Sequence, residues 1–285
     1  MLLPPALLAL LSAACFGAAL VVVHFGLRHV TSHAGARISL TTTALLWLFL
    51  APFLLDLSSW HAGAAAIFAG VGLCYPAAVT VLTYRSNRLI GPTLTGTISS
   101  TTPLFATALA VLFLGERLTP AIGAGGCVVV AALVLMAWRP GTRFSPGWRI
   151  ALPLSCAALR ALAQALSKLG LTLWPNPFAA TSIGYSVSAA AIWAVPRKHE
   201  HAQAMRWRAA FPWFAVTGAL NGCGLLLLNH ALQDGRVSVV APLAALYPLF
   251  TMLFSAAFIR TEVLTRHTMA GTLLAVAGVV LLVWG

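Results

Sequence analysis

The fold is decided by a stretch that occurs twice, PLFATALAVLFLGERLTPAIGAGGCVVVAALVLMAW over 103–138 and PLFTMLFSAAFIRTEVLTRHTMAGTLLAVAGVVLLVW over 248–284. Both copies begin with Pro-Leu-Phe and share several later positions once a one-residue insertion is allowed. These later matches are Glu116 with Glu262, Leu118 with Leu264, Thr119 with Thr265, Gly125 with Gly271, and Trp138 with Trp284. A self-match at such a long period indicates that half of the protein was built twice. Each copy is predicted to form an apolar helix ending in a Glu, a short polar turn and a second apolar helix.

The composition predicts a membrane protein. Hydrophobic residues make up 60% of the 285 residues, charged residues only 8%, and the mean hydropathy is +0.92. Soluble domains carry about 25% charged residues, so a soluble domain of this length could not hide so much apolar surface. The net charge of +12 would suggest nucleic acid in a soluble protein. Here the basic residues lie between apolar segments, where they face anionic lipid headgroups, and we expect no nucleic-acid partner.

Ten apolar segments are long enough to cross a bilayer, which takes about 20 residues per helix. We predict spanning helices at roughly 5–27, 36–55, 62–83, 91–114, 120–138, 149–172, 177–195, 210–231, 237–259 and 267–285. The predicted domains are a first five-helix repeat over 1–138, a connecting loop over 139–148 and a second five-helix repeat over 149–285. Because each half crosses an odd number of times, the second half enters from the opposite side. This gives an inverted repeat, a construction of secondary transporters that place substrate at the repeat interface.

The basic residues predict the orientation. One side of the membrane, which holds the first, third, fifth, seventh and ninth connections, carries Arg28, Arg37, Arg85, Arg88, Arg139, Arg143, Arg149, Arg197, Lys198, Arg206, Arg208, Arg260 and Arg266. The other side carries only Arg117, Lys168 and Arg236. The positive-inside rule therefore predicts that both termini lie outside the cell.

Catalytic and metal-binding motifs are missing from the sequence. It contains no phosphate-binding Gly loop with a Lys, no paired His-Glu helix motif and no nucleophile elbow. The five cysteines lie within apolar segments without Cys-x-x-Cys spacing, so we interpret them as small packing residues. We expect no catalytic residue, no metal and no cofactor, and an integral-membrane enzyme is the least favoured alternative.

The repeated pattern resembles that of a known family. A Pro, an apolar run, a Glu and a Leu-Thr pair occur as Pro103…Glu116-Arg117-Leu118-Thr119 and again as Pro248…Glu262-Val263-Leu264-Thr265. The chain is similar in this pattern to the drug/metabolite transporter superfamily, specifically to its bacterial EamA-type members of ten helices, over essentially its whole length. The resemblance implies a multi-pass protein of the bacterial inner membrane that carries small metabolites or toxic compounds, mostly outward, by alternating access. Many members have cytoplasmic termini, and the charge distribution of this chain departs from that.

Arg160 is the most informative single residue of the sequence. It lies about 11 residues into the sixth segment, roughly 17 Å from the Trp148 end and close to the midplane. Placing a charge at that depth in the bilayer costs at least ~2.5 kcal/mol of free energy, so a charged residue there usually has a function. Gln164 and Lys168 follow at four-residue intervals and extend one polar stripe on the helix. We expect Arg160 to face substrate, and the alternative is a structural Arg bonded to helix-end carbonyls or to a neighbouring Asn.

Other polar residues reach a similar depth and are predicted to line the same site. They are Tyr75, Tyr247, Asn221, Ser100 and Thr101. The alternative for each is a structural role, because hydroxyls in spanning helices most often bond back to their own carbonyls or join helices. No Asp or Glu lies at the midplane, which argues against exchange of protons for organic cations at a central carboxylate.

The prolines and glutamates of the repeated stretch are predicted to have structural roles. Pro103 and Pro248 each free a backbone carbonyl and are expected to kink or hinge the fourth and ninth helices. Glu116 and Glu262 could relay protons, but they lie at helix ends. We interpret them as interfacial residues that shape the two turns.

The sequence favours a secondary transporter for a small anionic or zwitterionic metabolite such as an amino acid, and we expect an exporter. An Arg guanidinium suits the carboxylate of such a substrate because it binds both oxygens at once. One alternative is a flippase for a lipid-linked headgroup, in which Arg160 and Lys168 would escort a phosphate, and another is an exporter of toxic compounds. The expected partners are the small-molecule substrate and membrane lipid, and a homodimer stays open.

Overall fold

The computed structural model describes residues 3–80, 82–83, 86, 98–99, 101–137, 150–194, 206–258 and 266–284. Within these ranges the chain forms eleven α-helices and one short π-helical segment, and it contains no strand. The helices are α1 (Pro5–Gly26), α2 (Ser32–Leu54), α3 (Ala62–Gly72), α4 (Thr102–Leu114), α5 (Pro120–Ala137), α6 (Ala151–Leu173), α7 (Pro177–Ala194), α8 (Trp207–Asp234), α9 (Val237–Ala244), α10 (Tyr247–Phe258) and α11 (Arg266–Trp284). The π-helical segment, Leu73–Ala78, continues directly from α3.

Helix ends follow local capping signals in the sequence. Thr31 precedes α2, and its hydroxyl accepts a hydrogen bond from Ala34 N at 3.3 Å. Asn176 precedes α7, and its Oδ1 accepts one from Ala179 N at 2.9 Å. Pro5 opens α1, where the missing N–H has no helical partner to lose. The side chains of Thr31 and Asn176 thus pair N–H groups that have no partner within the helix at the start of α2 and α7.

Within the described residues the third and the ninth predicted spans are interrupted, and in the fourth the turn residue Thr101 precedes α4. The third span leaves helical geometry at Tyr75, whose φ of −143° and ψ of 125° are extended. The ninth span is divided into α9 and α10 by the turn residues Ala245 and Leu246. By contrast, α1, α2 and α8 are long and apolar enough to cross a membrane as single helices. The interruptions at Tyr75 and at 245–246 therefore lie well inside their predicted spans.

Both prolines of the repeated stretch lie at the beginning of a helix. Pro103 is in the first turn of α4, and Pro248 is the second residue of α10. At these positions the proline ring fits the helix and no intrahelical hydrogen bond is lost. In the ninth span the interruption comes just before Pro248, so this proline starts the second half-helix and does not bend a continuous one.

The packing of the helices is two-fold symmetric between α1–α5 and α6–α11. α1 packs on α8 and α10, and the equivalent helix α6 packs on α3 and α4. α2 packs on α8, just as α7 packs on α3. Three pairs are their own equivalents: α2 with α7, α5 with α11, and α4 with α9. Exchanging the halves therefore leaves these contacts between the repeats unchanged.

Glycines allow close approach at two of these interfaces. A Cβ on Gly278 of α11 would lie 2.7 Å from a methyl carbon of Val129 on α5, and one on Gly125 would lie 3.1 Å from the carbonyl oxygen of Gly278. On α8, a Cβ on Gly218 or Gly222 would meet Thr43 of α2 at 2.5 and 2.8 Å. The Gly218-x-x-x-Gly222 spacing thus marks a packing seam, as is common between membrane helices.

Arg37 was counted with the basic residues beside the first connection, at the start of a span predicted from residue 36. The structure places it further inside α2, which begins at Ser32 after the cap by Thr31. Its side chain is only 3% exposed, and the guanidinium carbon lies 5.0 Å from the centroid of the Trp193 ring on α7. Arg37 therefore belongs to the packed interface of α2 and α7 and says little about orientation.

Candidate functional site

Arg160 lies near the middle of α6, a helix of 23 residues, and is enclosed by two tyrosines. Its Nη1 donates a hydrogen bond to Tyr247 Oη at 3.3 Å. Its guanidinium carbon is 6.0 Å from the ring centroid of Tyr75 and 5.9 Å from that of Tyr247. A cation at this distance from two aromatic faces is attracted by both rings. Tyr75 comes from the first half of the chain and the other two residues from the second, so the cluster lies at the interface of the halves.

The interrupted spans position both tyrosines. Tyr75 is the extended residue within the third span, and Tyr247 is the first residue of α10 after the break in the ninth span. A residue at a helix break can turn its side chain and nearby backbone toward the centre of a bundle. Discontinuous helices of this kind form the substrate sites of many secondary transporters.

Two buried polar atoms of the site lack hydrogen-bond partners among the described residues. They are Arg160 Nε and Gln164 Oε1, a donor and an acceptor one helical turn apart on α6. Leaving a buried polar atom unpaired costs about 1–3 kcal/mol, and most buried polar atoms in proteins have a partner in the protein or in ordered water. Both side chains as wholes are only partly buried, so there is space beside them at this depth.

The charge of Arg160 has no carboxylate counter-ion in the described part of the chain. The acidic residues described there are Asp56, Glu116 and Asp234, and all three lie at helix ends or in connections. A cation in a low-dielectric interior without a counter-ion creates a strongly positive local potential. The arrangement of Arg160, Tyr75, Tyr247 and Gln164 can therefore attract an anion and hydrogen-bond it.

The other predicted site residues are placed differently. Asn221 is partly buried on α8, and among the described residues no hydrogen bond joins it to Arg160. The Thr101 hydroxyl donates to Ile98 O at 2.7 Å, which is the structural alternative expected for hydroxyls in spanning helices. Ser100 and Glu262 lie outside the described residues.

Lys168 does not continue the polar stripe into the site. Its Nζ donates to the backbone oxygen of Gln233 at 2.9 Å, near the C-terminal end of α8. A cation at this end of a helix meets unpaired carbonyls and the negative end of the helix dipole. Lys168 therefore serves to anchor α6 to α8, whereas Arg160 and Gln164 remain available.

Glu116 makes a contact that the sequence analysis missed. Its Oε1 accepts a hydrogen bond from Val237 N at 2.6 Å, and its Oε2 accepts from Ser238 N at 3.0 Å and from Ser238 Oγ at 2.6 Å. The predicted position at the end of a helix, next to a turn, is correct, since Gly115 ends α4 in the left-handed region with φ 65°. The carboxylate of Glu116, just after this turn, binds the N-terminus of α9 in the other half of the molecule. The one available signal was that α9 has no acidic residue in its own first turn.

Cys156 lies next to the site, although the sequence analysis interpreted it only as a packing residue. It is fully buried one turn before Arg160 on α6, and the Thr83 hydroxyl donates to its Sγ at 3.6 Å. Its spacing of four residues from Arg160 was the signal for this proximity.

An all-α bundle of two related halves, with broken helices around a buried cation at their interface, has the architecture of a secondary transporter. The sequence model of the EamA-like transporter family matches the chain twice, over residues 3–138 and 148–284. The chain belongs to this family, which is part of the drug/metabolite transporter superfamily, and its members are transporters and not enzymes. The predicted fold class is thereby confirmed: the protein is an all-α, multi-pass membrane protein of two five-helix repeats.

Similarities to one solved structure and to one other protein support fewer conclusions than the family match. A solved crystal structure of a protein superposes on this chain with a TM-score of 0.79, over 97% of this chain and 95% of that protein's chain. The sequence identity is 14%, so this similarity shows a shared fold. An uncharacterized protein of Methanocaldococcus jannaschii is 37% identical over 67 residues, 24% of this chain and 48% of the relative. This chain thus covers about half the length of that relative.

Proposed function

We propose that this transporter exports a small anionic or zwitterionic metabolite, such as an amino acid, by alternating access at the interface of its two repeats. The observation that carries the proposal is Arg160, a guanidinium deep in the bundle with Nε unpaired and no counter-ion in the described part of the chain. A substrate carboxylate would supply both the missing acceptor and the missing charge.

The geometry of the guanidinium favours a carboxylate. Nη1 is turned toward Tyr247, which leaves the edge formed by Nε and Nη2 for a ligand. Two parallel hydrogen bonds from this edge to the two oxygens of a carboxylate are the preferred pairing of Arg with an acid. The rings of Tyr75 and Tyr247, with centroids 6.0 and 5.9 Å from the guanidinium carbon, attract the cation and favour its position before substrate arrives.

Gln164 favours a zwitterion among the possible carboxylates. It lies four residues after Arg160 on α6, about 6 Å along the helix axis at 1.5 Å per residue. An amide oxygen at that separation can accept a hydrogen bond from an amino group of the same ligand. The α-amino and α-carboxyl groups of an amino acid therefore match the two unpaired atoms of the site.

The flippase alternative is less well supported. It requires Lys168 to pass a phosphate on from Arg160, but Lys168 is engaged with the backbone of α8. A transporter of organic cations would require a central carboxylate, and the described part of the chain has none at this depth. Both arguments favour a metabolite carboxylate.

The experiment that tests the proposal measures binding before transport. Purified protein is heated with a panel of metabolites, and a ligand that binds the folded state raises its melting temperature by mass action. We expect amino acids or related carboxylates to do so, and Arg160→Ala and Arg160→Lys to lose most of the shift and most transport in proteoliposomes. Arg208→Lys, at an exposed position on α8, is the matched control and keeps both. Full transport by Arg160→Ala contradicts the proposal.

We propose a bacterial inner-membrane location with both termini outside, as the basic residues indicate. Reporter fusions in the seventh connection, around Lys198 to Arg208, should then report cytoplasm, because Arg197, Lys198, Arg206 and Arg208 form the densest positive cluster there. A periplasmic signal from these fusions would place the termini inside and reverse the proposed assignment of faces.

A further inference from the structure

The hydrogen bonds of Glu116 with Val237 and Ser238, which we call the Glu116 cap, join the two repeats at one face of the bundle. α9 has no acidic residue in its first turn and no side-chain cap from Arg236 before it. Its first N–H groups would therefore be unpaired without Glu116. A carboxylate is well suited to this position, because charged acceptors form stronger hydrogen bonds and the helix dipole is positive there.

Neighbouring contacts tie the same face together. This face holds the α2–α3, α4–α5, α6–α7 and α8–α9 connections. Asn176 Nδ2 donates to Asp56 O at 2.8 Å and so joins two of these connections from different repeats. Lys168 Nζ donates to Gln233 O at 2.9 Å and joins α6 to the C-terminal end of α8 at this face. The Glu116 cap is thus part of a set of polar contacts that close this face.

α9 connects the Glu116 cap to the site at Arg160. The helix runs from Val237, which Glu116 holds, to Ala244, and its eight residues span about 12 Å. After the two turn residues 245–246, α10 begins with Tyr247, whose hydroxyl accepts the hydrogen bond from Arg160. A displacement at the start of this short helix therefore reaches Tyr247 with little chain in between to absorb it.

We propose that the Glu116 cap is the gate of this face: it holds the face closed, and its release moves α9 and Tyr247 together to open a path to Arg160. Alternating access requires contacts between the repeats that form in one state and break in the other. The Glu116 cap meets this requirement with a single side chain. Because Glu116 is only partly buried, water can take over its hydrogen bonds when α9 moves away.

The test measures the distance between the two connections directly. In a background with the five cysteines replaced by Ala, Leu118→Cys and Arg236→Cys place spin labels at exposed positions on either side of the Glu116 cap. With Glu116 in place we expect one short distance in pulsed electron paramagnetic resonance. Glu116→Gln should shift the ratio of closed to open forms roughly tenfold, about 1.4 kcal/mol, and so add a longer distance. Ser238→Ala, which removes one of the three hydrogen bonds, should give a smaller shift in the same direction.

Asp234→Asn is the matched control, because it removes a carboxylate from the same region that is not bonded to α9 in the described structure. We expect it to keep the short distance. If Glu116→Gln and Ser238→Ala both keep the wild-type distances in folded protein, the gate is not at Glu116. If Glu116→Gln does not fold, Ser238→Ala decides the question alone. Since the readout requires no substrate, it is independent of the substrate class proposed above.

Discussion

The Arg160 site and the Glu116 cap are both polar clusters at the interface of the repeats, but they differ in how fully their hydrogen bonds are satisfied. Both carboxylate oxygens of Glu116 have partners, at 2.6 to 3.0 Å. At the other site Arg160 Nε and Gln164 Oε1 have none among the described residues. A satisfied polar network stabilises the fold, whereas an unsatisfied one costs free energy that binding of a ligand can recover. The contrast separates a contact that holds one face of the protein closed from a site that we propose binds substrate.

The largest expected effect is on stability, and it should separate the two clusters. Glu116→Ala leaves the first N–H groups of α9 without partners and should lower the free energy of unfolding by about 2–3 kcal/mol. Arg160→Ala removes a buried charge that costs at least ~2.5 kcal/mol, so it should leave stability unchanged or raise it. Thermal unfolding in detergent, followed by the fluorescence of the native tryptophans, measures both. Equal losses in the two variants would show that Arg160 also serves the fold.

A smaller effect is expected on substrate preference. Gln164→Met keeps the size of the side chain but removes the acceptor proposed to read the amino group. It should lower the preference for an amino acid over the corresponding keto acid by roughly tenfold, the value of about one hydrogen bond to a charged group. Competition of the two compounds for transport in proteoliposomes measures the ratio. Gln203→Met, outside the described residues, serves as a control for the substitution itself. An unchanged ratio in Gln164→Met would mean that Gln164 does not contact the substrate.

The smallest effect is expected at Thr101. Its hydroxyl already donates to Ile98 O, so the structure leaves it with no unpaired donor to offer. Thr101→Val keeps the shape of the side chain and should change transport by less than about twofold, since such backbone-directed hydroxyl bonds contribute little. The same transport assay measures it, with Arg160→Ala as the inactive reference. A large loss would extend the site toward α4.

The sequence predicts the ends of most helices because the bilayer fixes their length and polar residues mark their limits. It does not reveal the breaks at Tyr75 and at 245–246. An apolar segment has the same sequence pattern whether its helix is continuous or interrupted, because neighbouring helices can satisfy the backbone groups that an interruption frees. Pro76 and Pro242, both within these spans, were the local signals. Proline alone does not distinguish a bend from a break.

The candidate site was partly predictable for a related reason. Arg160, Tyr75 and Tyr247 could be grouped because all three lie at the middle of a span, and depth in a membrane follows from position in the sequence. The partner of Glu116 could not be predicted. The position of Glu116 in the sequence places this residue at one face of the membrane, but it does not indicate which helix end lies beside it. Arg37 was counted with the basic residues of one side because it lies near the predicted start of a span, whereas the cap by Thr31 starts α2 already at Ser32.

The close approach of α5 and α11 at Gly125 and Gly278 has a mechanical consequence. One helix comes from each repeat, and no side chain separates their backbones at this point, so sliding or pulling them apart would open a void along the seam. Rotation of one repeat relative to the other about this seam disturbs the contact least. We expect the axis of this rotation to lie along the contact between α5 and α11. The helices farthest from it, rather than those beside it, then travel the greatest distance during a transport cycle.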